Sequence, residues 1–331
     1  MRVLIAPLNW GLGHATRCIP IVRRYIESGA EVWLGGSGAS LRLLHDYFPQ
    51  LTTVELAPLD IRYSSGNSQV FAMLRAVPKL LHFTQCNHRK IKQLLRSTTF
   101  DLIISDNCFG VYTSSCDCIY ITHQLHICLP KPWRWLEALA SKCHSQLYKH
   151  YKEIWVPDYA GTPNLSGLLG HPEHIDSRVK YIGPLSRFDN YSPSKTELFP
   201  SGYDVIAVLS GPEPQRTLFE QQIMSQYIGG SDQILIIRGL TDAPQTTIRH
   251  HNITLVSSIK QFGLLKQTNK GRNEQGYIPR LIVRSGYSTI MDLHILGLRM
   301  NQDLFAMTKF IPTPGQPEQE YLANYHTRYT D

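Results

Sequence analysis

Residues 2–17 read RVLIAPLNWGLGHATR. The stretch holds an apolar run without alternation, a turn with two glycines, and a histidine at the start of a helical pattern. A strand buried on both faces has that unalternated composition. The glycines supply a tight turn into a helix, yet they leave His14 unexplained. The plan returns in the second half: DVIAVLS at 204–210 is again an apolar strand, GPEPQ a turn, and RTLFEQQIMSQY a helix.

Working outward from the first opening, a helix is expected from Ala15 to about Ser28, followed by the strands EVWLGG, DLIISD and CIYIT. Strands that alternate with helical patterns indicate a parallel sheet covered by helices. QILIIRG and LIVRSG extend the second half in the same way, and SGYSTIMDLHIL starts a helix with Ser285 at its N-cap and Asp292 in its second turn. Between the halves, PLSRFDNYSPSKTELFPSGY is rich in proline and serine and has no hydrophobic period. The chain is therefore expected to be an α/β protein of two Rossmann-like, doubly wound domains facing a cleft. Residues 1–183 form the first domain, 184–203 the linker and 204–331 the second.

With 331 residues, 42% of them hydrophobic and 18% charged, the chain can fill two cores. The apolar residues at the start, Val3 to Leu8, are too few for a signal sequence, and no later run approaches the roughly 20 apolar residues of a membrane-spanning helix. A cytoplasmic protein is expected. Seven cysteines, Cys18, Cys86, Cys108, Cys116, Cys118, Cys128 and Cys143, form no CxxC pair and read as free, mostly buried thiols. A net charge of +7 permits an anionic partner, whether nucleotide, nucleic acid or membrane surface, and does not choose among them. No RNP, helix-turn-helix or zinc-finger pattern accompanies it, so nucleic acid is not the expected one. Walker A, GxSxG and HExxH motifs are also missing.

Glycine turns that feed helix N-termini present unpaired N–H groups and the positive end of a dipole to an anion. Three occur here, at Gly11 to His14, at Gly211 to Glu213 and at Gly286. In α/β proteins such glycines also serve simply to turn the chain. His14, at the rim of the expected cleft, is placed to take a proton from a bound hydroxyl, or to act as a structural histidine at the helix start. Asp106 ends the strand DLIISD at the same sheet edge; it can orient that imidazole or cap its own loop.

RSGYSTIMDL at 284–293, followed by PTPGQPEQEYLA at 312–323, resembles the C-terminal domain of glycosyltransferase family 28, whose members have the GT-B fold. The resemblance extends loosely over most of the chain. It implies that Ser285, Gly286, Ser288 and Thr289 lie near the diphosphate of a nucleotide-sugar donor. Asp292 falls at the ribose-binding acid, and Gln319 and Glu320 at the sugar-contacting pair. SGPEPQR, with Gly211 and Arg216, falls at the other phosphate-side loop; Gly11, Gly13 and His14 fall at the acceptor-side loop, His14 being the base.

The implied activity is an inverting, metal-independent transfer from a nucleotide-sugar, by resemblance UDP-linked and carrying an N-acetylhexosamine, to an acceptor hydroxyl in cell-envelope glycolipid or polysaccharide synthesis. No cofactor is expected, and no DxD-like acidic pair stands in a donor loop. A nucleotide-sugar hydrolase or a non-catalytic nucleotide-sugar binding protein would share the same features. Three departures from the family stand out: the N-terminal loop is shorter in glycine, LRMNQDLFAMTKFI and QTNKGRNEQGYIPR are longer than its connections, and little chain follows the sugar-contacting segment, which implies a truncated or weaker domain clamp.

Two basic, apolar stretches suit an anionic membrane surface and a lipid-linked or glycolipid acceptor: Val70 to Ser97, with Arg75, Lys79, Arg89, Lys90, Lys92 and Arg96 and no acid, and LPKPWRWLEAL, with Trp133 and Trp135. Ordinary surface helices with solvated charges have the same composition.

Overall fold

The computed structural model describes residues 1–59, 69–190, 202–211, 213–240, 244–257 and 279–327. Its two sheets grow from the apolar runs. The first contains β1 (Arg2–Pro7), β2 (Glu31–Gly36), β3 (Thr52–Glu55), β4 (Leu102–Asp106), β5 (Asp117–Ile121), β6 (Glu153–Val156) and β7 (Val179–Tyr181). They run in the order β3-β2-β1-β4-β5-β6-β7, all parallel. Val3 stands between Val32 and Leu102, fixing the register at the centre.

Successive residues of β1 serve opposite cores, as the two-residue period of a strand requires. Val3 and Ile5 pack under α1 (Gly13–Glu27) and α2 (Gly38–Tyr47), while Leu4 and Ala6 face Phe83 and Ile91 of α3 (Gln69–Leu94). A shorter helix, α4 (Glu137–Ser145), follows β5 and buries none of its residues fully.

The second sheet holds β8 (Val205–Val208), β9 (Ile234–Ile237), β10 (Thr247–His250), β11 (Ile253–Val256), β12 (Arg280–Arg284) and β13 (Thr308–Ile311). Its order is β10-β11-β9-β8-β12-β13, with an antiparallel pair at β10–β11 and parallel pairs elsewhere. Its helices are α5 (Gln215–Tyr227), α6 (Tyr287–Met300) and α7 (Pro317–Thr327). Asn301 stops α6 in the left-handed conformation, φ 51°, which asparagine tolerates better than most residues.

In each sheet the order of winding reverses beside the first strand, between β1 and β4 and between β8 and β12. The crevice beyond the C-terminal ends of such strands is where an open α/β sheet holds its ligand. The loops after β1, β8 and β12 are the three glycine turns.

The two units are not separate bodies. Tyr287, Ile290 and Met291 of α6 and Leu322 of α7 belong to the core of the first sheet. Ile290, Met291 and Leu322 are fully buried, and each such side chain contributes roughly 1.5–3 kcal/mol on the usual area scale. The helix α7, assigned by sequence to the second domain, lies against the first: Leu168 N–H donates to Tyr321 Oη at 2.7 Å, and His326 Nε2 to the Leu165 carbonyl at 2.9 Å. A returning helix thus follows the PTPGQP segment directly.

The start of the expected linker is equally fixed, with Leu185 buried and its N–H on Met291 Sδ at 3.3 Å. Residues 191–201 of that linker, Pro212 of the second turn and nearly all of QTNKGRNEQGYIPR lie outside the described residues. Among the described residues no helix is long and apolar enough to cross a membrane, and the seven cysteines are free thiols.

Candidate functional site

The turn after β1 and the turn after β12 meet. Ser288 Oγ donates to the Gly13 carbonyl at 3.1 Å, and the N-termini of α1 and α6 come together at that contact. Neither helix has a side-chain cap or an acidic residue in its first turn. Their leading N–H groups and dipoles therefore remain available to an anion. The N-cap of α6 is Gly286, one residue later than the sequence suggests. The Ser285 hydroxyl instead donates to the Gln319 carbonyl at 2.7 Å, because the PTPGQP segment passes beside it.

Beside this seam His14 meets Asp106, with Nδ1 2.9 Å from Oδ1. The helix places Arg17 one turn after His14 on the same face. Arg17 is 2% exposed, its Nε donates to Asp106 Oδ2 at 2.5 Å, and its Nη2 donates to Oδ1. Two donors thus converge on Asp106 Oδ1, and the 3.0 Å between His14 Nδ1 and Arg17 Nη2 follows from sharing it. In that arrangement His14 carries its hydrogen on Nδ1, and Nε2 keeps a lone pair.

The charges are set by this geometry. Burial raises the cost of ionising Asp106, but Arg17 and His14 outweigh it and hold the carboxyl far below its usual range. Burial also pulls His14 below its ordinary value; Arg17 adds to that pull and Asp106 opposes it. The result is an anionic Asp106, a cationic Arg17 and an imidazole poised to accept a proton.

The network continues across the seam. Arg17 Nη1 lies 3.1 Å from His123 Nδ1, and arginine can only donate, so the hydrogen of His123 is on Nε2. It goes to Glu318 Oε1 at 2.7 Å, on α7. The His123 ring also stacks on Tyr287 of α6, with centroids 4.3 Å apart and planes 4° from parallel. Burial opposes ionisation of Glu318, while His123 draws its carboxyl below the usual value.

Arg17, His123 and Glu318 were not singled out by the sequence. The one available signal was Arg17, three residues after His14 on a helix that buries that face. Arg284 was missed as well. It is 3% exposed at the end of β12, lies 3.9 Å over the Phe219 ring and donates to the Pro312 carbonyl at 2.8 Å. Burial lowers its basicity to about 10.

Other residues expected at the donor site are engaged elsewhere. Asp292 accepts from Ser186 Oγ at 2.6 Å and lies 3.5 Å from Arg187 Nε; burial pushes its carboxyl up. Arg216 pairs with Glu213, which also accepts from Thr217 N–H at 3.2 Å, so the N-terminus of α5 already holds an anion. Gly211 is exposed, with φ 99°. Gln319 turns back on its loop, accepting from Thr313 N–H at 2.9 Å and donating to Gln316 Oε1 at 2.6 Å. Glu320 is exposed, and the acid of that segment that meets the first unit is Glu318. Thr289 continues α6 through a bond from its N–H to the Gly286 carbonyl. Gly11, with φ 76°, is exposed at the bend before α1.

Comparison with known protein families finds no matching family. A protein of Methanosarcina acetivorans described as an uncharacterized glycosyltransferase is 23% identical over 198 residues, which is 56% of this chain and 50% of the relative. The chain thus spans about half the length of that curated relative. Among solved structures, the glycotransferase of kitacinnamycin is similar with TM-score 0.54 and 12% identity, over 99% of this chain and 95% of the other. The spinosyn rhamnosyltransferase, solved with thymidine diphosphate, is similar with TM-score 0.54 and 11% identity, over 100% and 90%. The two parallel-dominated sheets and these likenesses assign the fold to the GT-B type.

Proposed function

We propose that this chain is a glycosyltransferase that moves a sugar from a nucleotide-sugar donor to an acceptor hydroxyl. The observation that carries the proposal is the apposition of two uncapped helix N-termini, at Gly13 and Ser288, beside the His14–Asp106 pair. His14 Nε2 takes the proton of the acceptor hydroxyl while that oxygen attacks the anomeric carbon and the nucleoside diphosphate departs, inverting the centre. Asp106 holds the ring and steadies the imidazolium that forms. The helix N-termini meet the charge that develops on the leaving diphosphate. No metal is required at that step.

The resemblance of RSGYSTIMDL and PTPGQPEQE to family 28 supports a UDP-linked donor, an N-acetylhexosamine as the sugar, and an acceptor in cell-envelope glycolipid or polysaccharide synthesis. Contact with the inner face of a membrane is part of the same reading. Trp135 is 75% and Leu139 57% exposed, with Lys131, Arg134 and Lys142 exposed beside them.

The test is to follow nucleoside diphosphate release from UDP-, dTDP- and GDP-sugars, with and without polyprenyl phosphate lipids and EDTA, for the wild type and His14→Ala. Acceptor-dependent release that survives EDTA and is lost in the variant is the expected result. Release without acceptor makes the protein a nucleotide-sugar hydrolase. Donor binding without release makes it a binding protein.

A further inference from the structure

The loop that carries His123 runs on into a second group of polar side chains. Its backbone is tied down on both sides: His126 N–H donates to the Leu169 carbonyl at 2.9 Å, and Ile127 N–H to Ser141 Oγ at 2.9 Å. Glu137, the first residue of α4, reaches back to this loop. Its Oε1 accepts from Leu129 N–H at 2.9 Å, and its Oε2 lies 3.1 Å from His126 Nε2. Cys128 Sγ completes a cluster whose ligand atoms all lie within 4.8 Å of one another.

We propose that His126, Cys128 and Glu137 bind one divalent cation of the zinc class through Nε2, Sγ and a carboxylate oxygen, with water as the fourth ligand. The donor set is the first reason. Imidazole, thiolate and carboxylate together suit Zn²⁺, whereas Mg²⁺ and Ca²⁺ take oxygen ligands. The spacing is the second. Bonds of about 2.0–2.2 Å to nitrogen and oxygen put those two atoms about 3.3 Å apart around a tetrahedral ion, close to the gap already present. The third is access. His126 and Glu137 side chains are 17% and 19% exposed, enough for an ion to enter and for water to hold the open position.

Without a cation the thiol is an awkward neighbour. Cys128 Sγ stands beside a His126–Glu137 hydrogen bond that does not need it. Cation binding displaces that one thiol proton to solvent, and His126 moves its hydrogen to Nδ1, so one proton leaves per ion bound. The ion would pin the loop after β5 to α4, adjacent to the His123–Glu318 bridge. This site is independent of the glycosyl-transfer proposal and is read without an activity assay.

The experiment is a Co²⁺ titration of the metal-stripped full chain under a phosphine reductant, followed by absorption. Saturation at one ion per chain is expected, with a thiolate charge-transfer band in the near ultraviolet and intense visible bands of tetrahedral cobalt, both abolished by Zn²⁺. Cys128→Ser should lose the charge-transfer band, and Cys143→Ser, at an exposed thiol, should keep it. His126→Ala and Glu137→Gln should weaken binding by about tenfold or more. Glu137→Gln retains an oxygen for Leu129 N–H, so it carries the test if Cys128→Ser does not fold. Failure to saturate with Co²⁺, a band that survives Cys128→Ser, or unchanged affinity in Glu137→Gln would overturn the proposal.

Discussion

A Cβ added to Gly13 would stand 2.6 Å from Ser288 Oγ and 3.2 Å from Ser288 Cβ, across the seam between the two units. The N-termini of α1 and α6 therefore approach until only the Ser288 side chain separates them at Gly13, which leaves no room there for a second side chain. Gly13→Ala should force them apart. Displacements of about 1 Å at a reacting centre cost up to about 10²-fold in rate, so a loss on the order of ten- to a hundredfold in kcat/KM is expected. Removing the facing hydroxyl with Ser288→Ala should restore part of it. Equal kcat/KM for wild type and Gly13→Ala would show that the seam does not position the reaction.

As the proposed base, His14 should set the acid side of the pH profile. Its imidazole is held below the ordinary 6.5 by burial, so it stays neutral, and able to accept a proton, to a pH lower than a solvated histidine would. The profile of kcat/KM should rise with pH through a midpoint below 6.5 and be flat at neutrality. Stability follows the same sign. The unfolded chain binds more protons at this site between the two values, so the folded state loses stability as pH falls through that window. An acid limb centred above 6.5 would exclude His14 as the base.

Arg17 and Asp106 form a buried pair, 2% and 1% exposed. Breaking such a pair leaves a lone buried charge and costs about 3–5 kcal/mol, whereas removing both partners costs less. Arg17→Met and Asp106→Asn should each lower the urea midpoint more than the double variant does. If the double variant is as unstable as the sum of the singles, the two side chains do not act as a pair.

Much of this arrangement was legible in the sequence, for reasons tied to particular residues. VLIA, LIIS and VIAV are apolar without alternation because β1, β4 and β8 lie inside their sheets, and that composition marks a strand from its own residues alone. TTVE, VKY and TKFI carry no such mark. They are the strands β3, β7 and β13 at sheet edges, half exposed, and their pairing is decided by the neighbour. His14 and Asp106 could be joined because each follows from its position at the end of β1 or β4 on either side of the reversal. Arg17 offered only its spacing from His14, since an arginine inside a helix otherwise reads as a solvated side chain until a carboxylate 89 residues away in sequence is brought to it. Glu318 rather than Glu320 faces the seam because α7 begins at Pro317, and the phase of that helix is fixed by Leu322 entering the first core.

Glu318 gives the seam a dependence on acid. His123 draws its carboxyl below the usual 4.5, so the bridge is fully present above that value and is lost as pH falls through the lowered one. As pH falls below 4.5 the melting temperature of the wild type should fall further than that of Glu318→Gln, which cannot titrate. At neutral pH the variant should show a raised KM for the donor with little change in far-ultraviolet circular dichroism. Parallel melting curves for the two proteins across that range would remove Glu318 from the account of the seam.

Membrane contact, if the acceptor is lipid-linked, should rest on the segment before and within α4. Trp135 and Leu139 are 75% and 57% exposed and take no part in the apolar cores, so removing them costs the folded state little. Lys131, Arg134 and Lys142 flank them, the combination of apolar insertion and positive charge by which a helix binds an anionic interface. Trp135→Ala with Leu139→Asp should reduce sedimentation with vesicles containing anionic lipid by on the order of tenfold or more, since about 0.8 kcal/mol is lost per CH₂ group withdrawn. The same variant should keep its melting temperature within about 2 °C of wild type, because a surface change within ±0.5 kcal/mol moves it no further. Turnover of a short, water-soluble acceptor should be unaffected, while turnover of the same acceptor on a polyprenyl chain in vesicles falls. Vesicle binding that survives both substitutions, or that is equal for neutral and anionic lipid, would place the contact elsewhere on the chain.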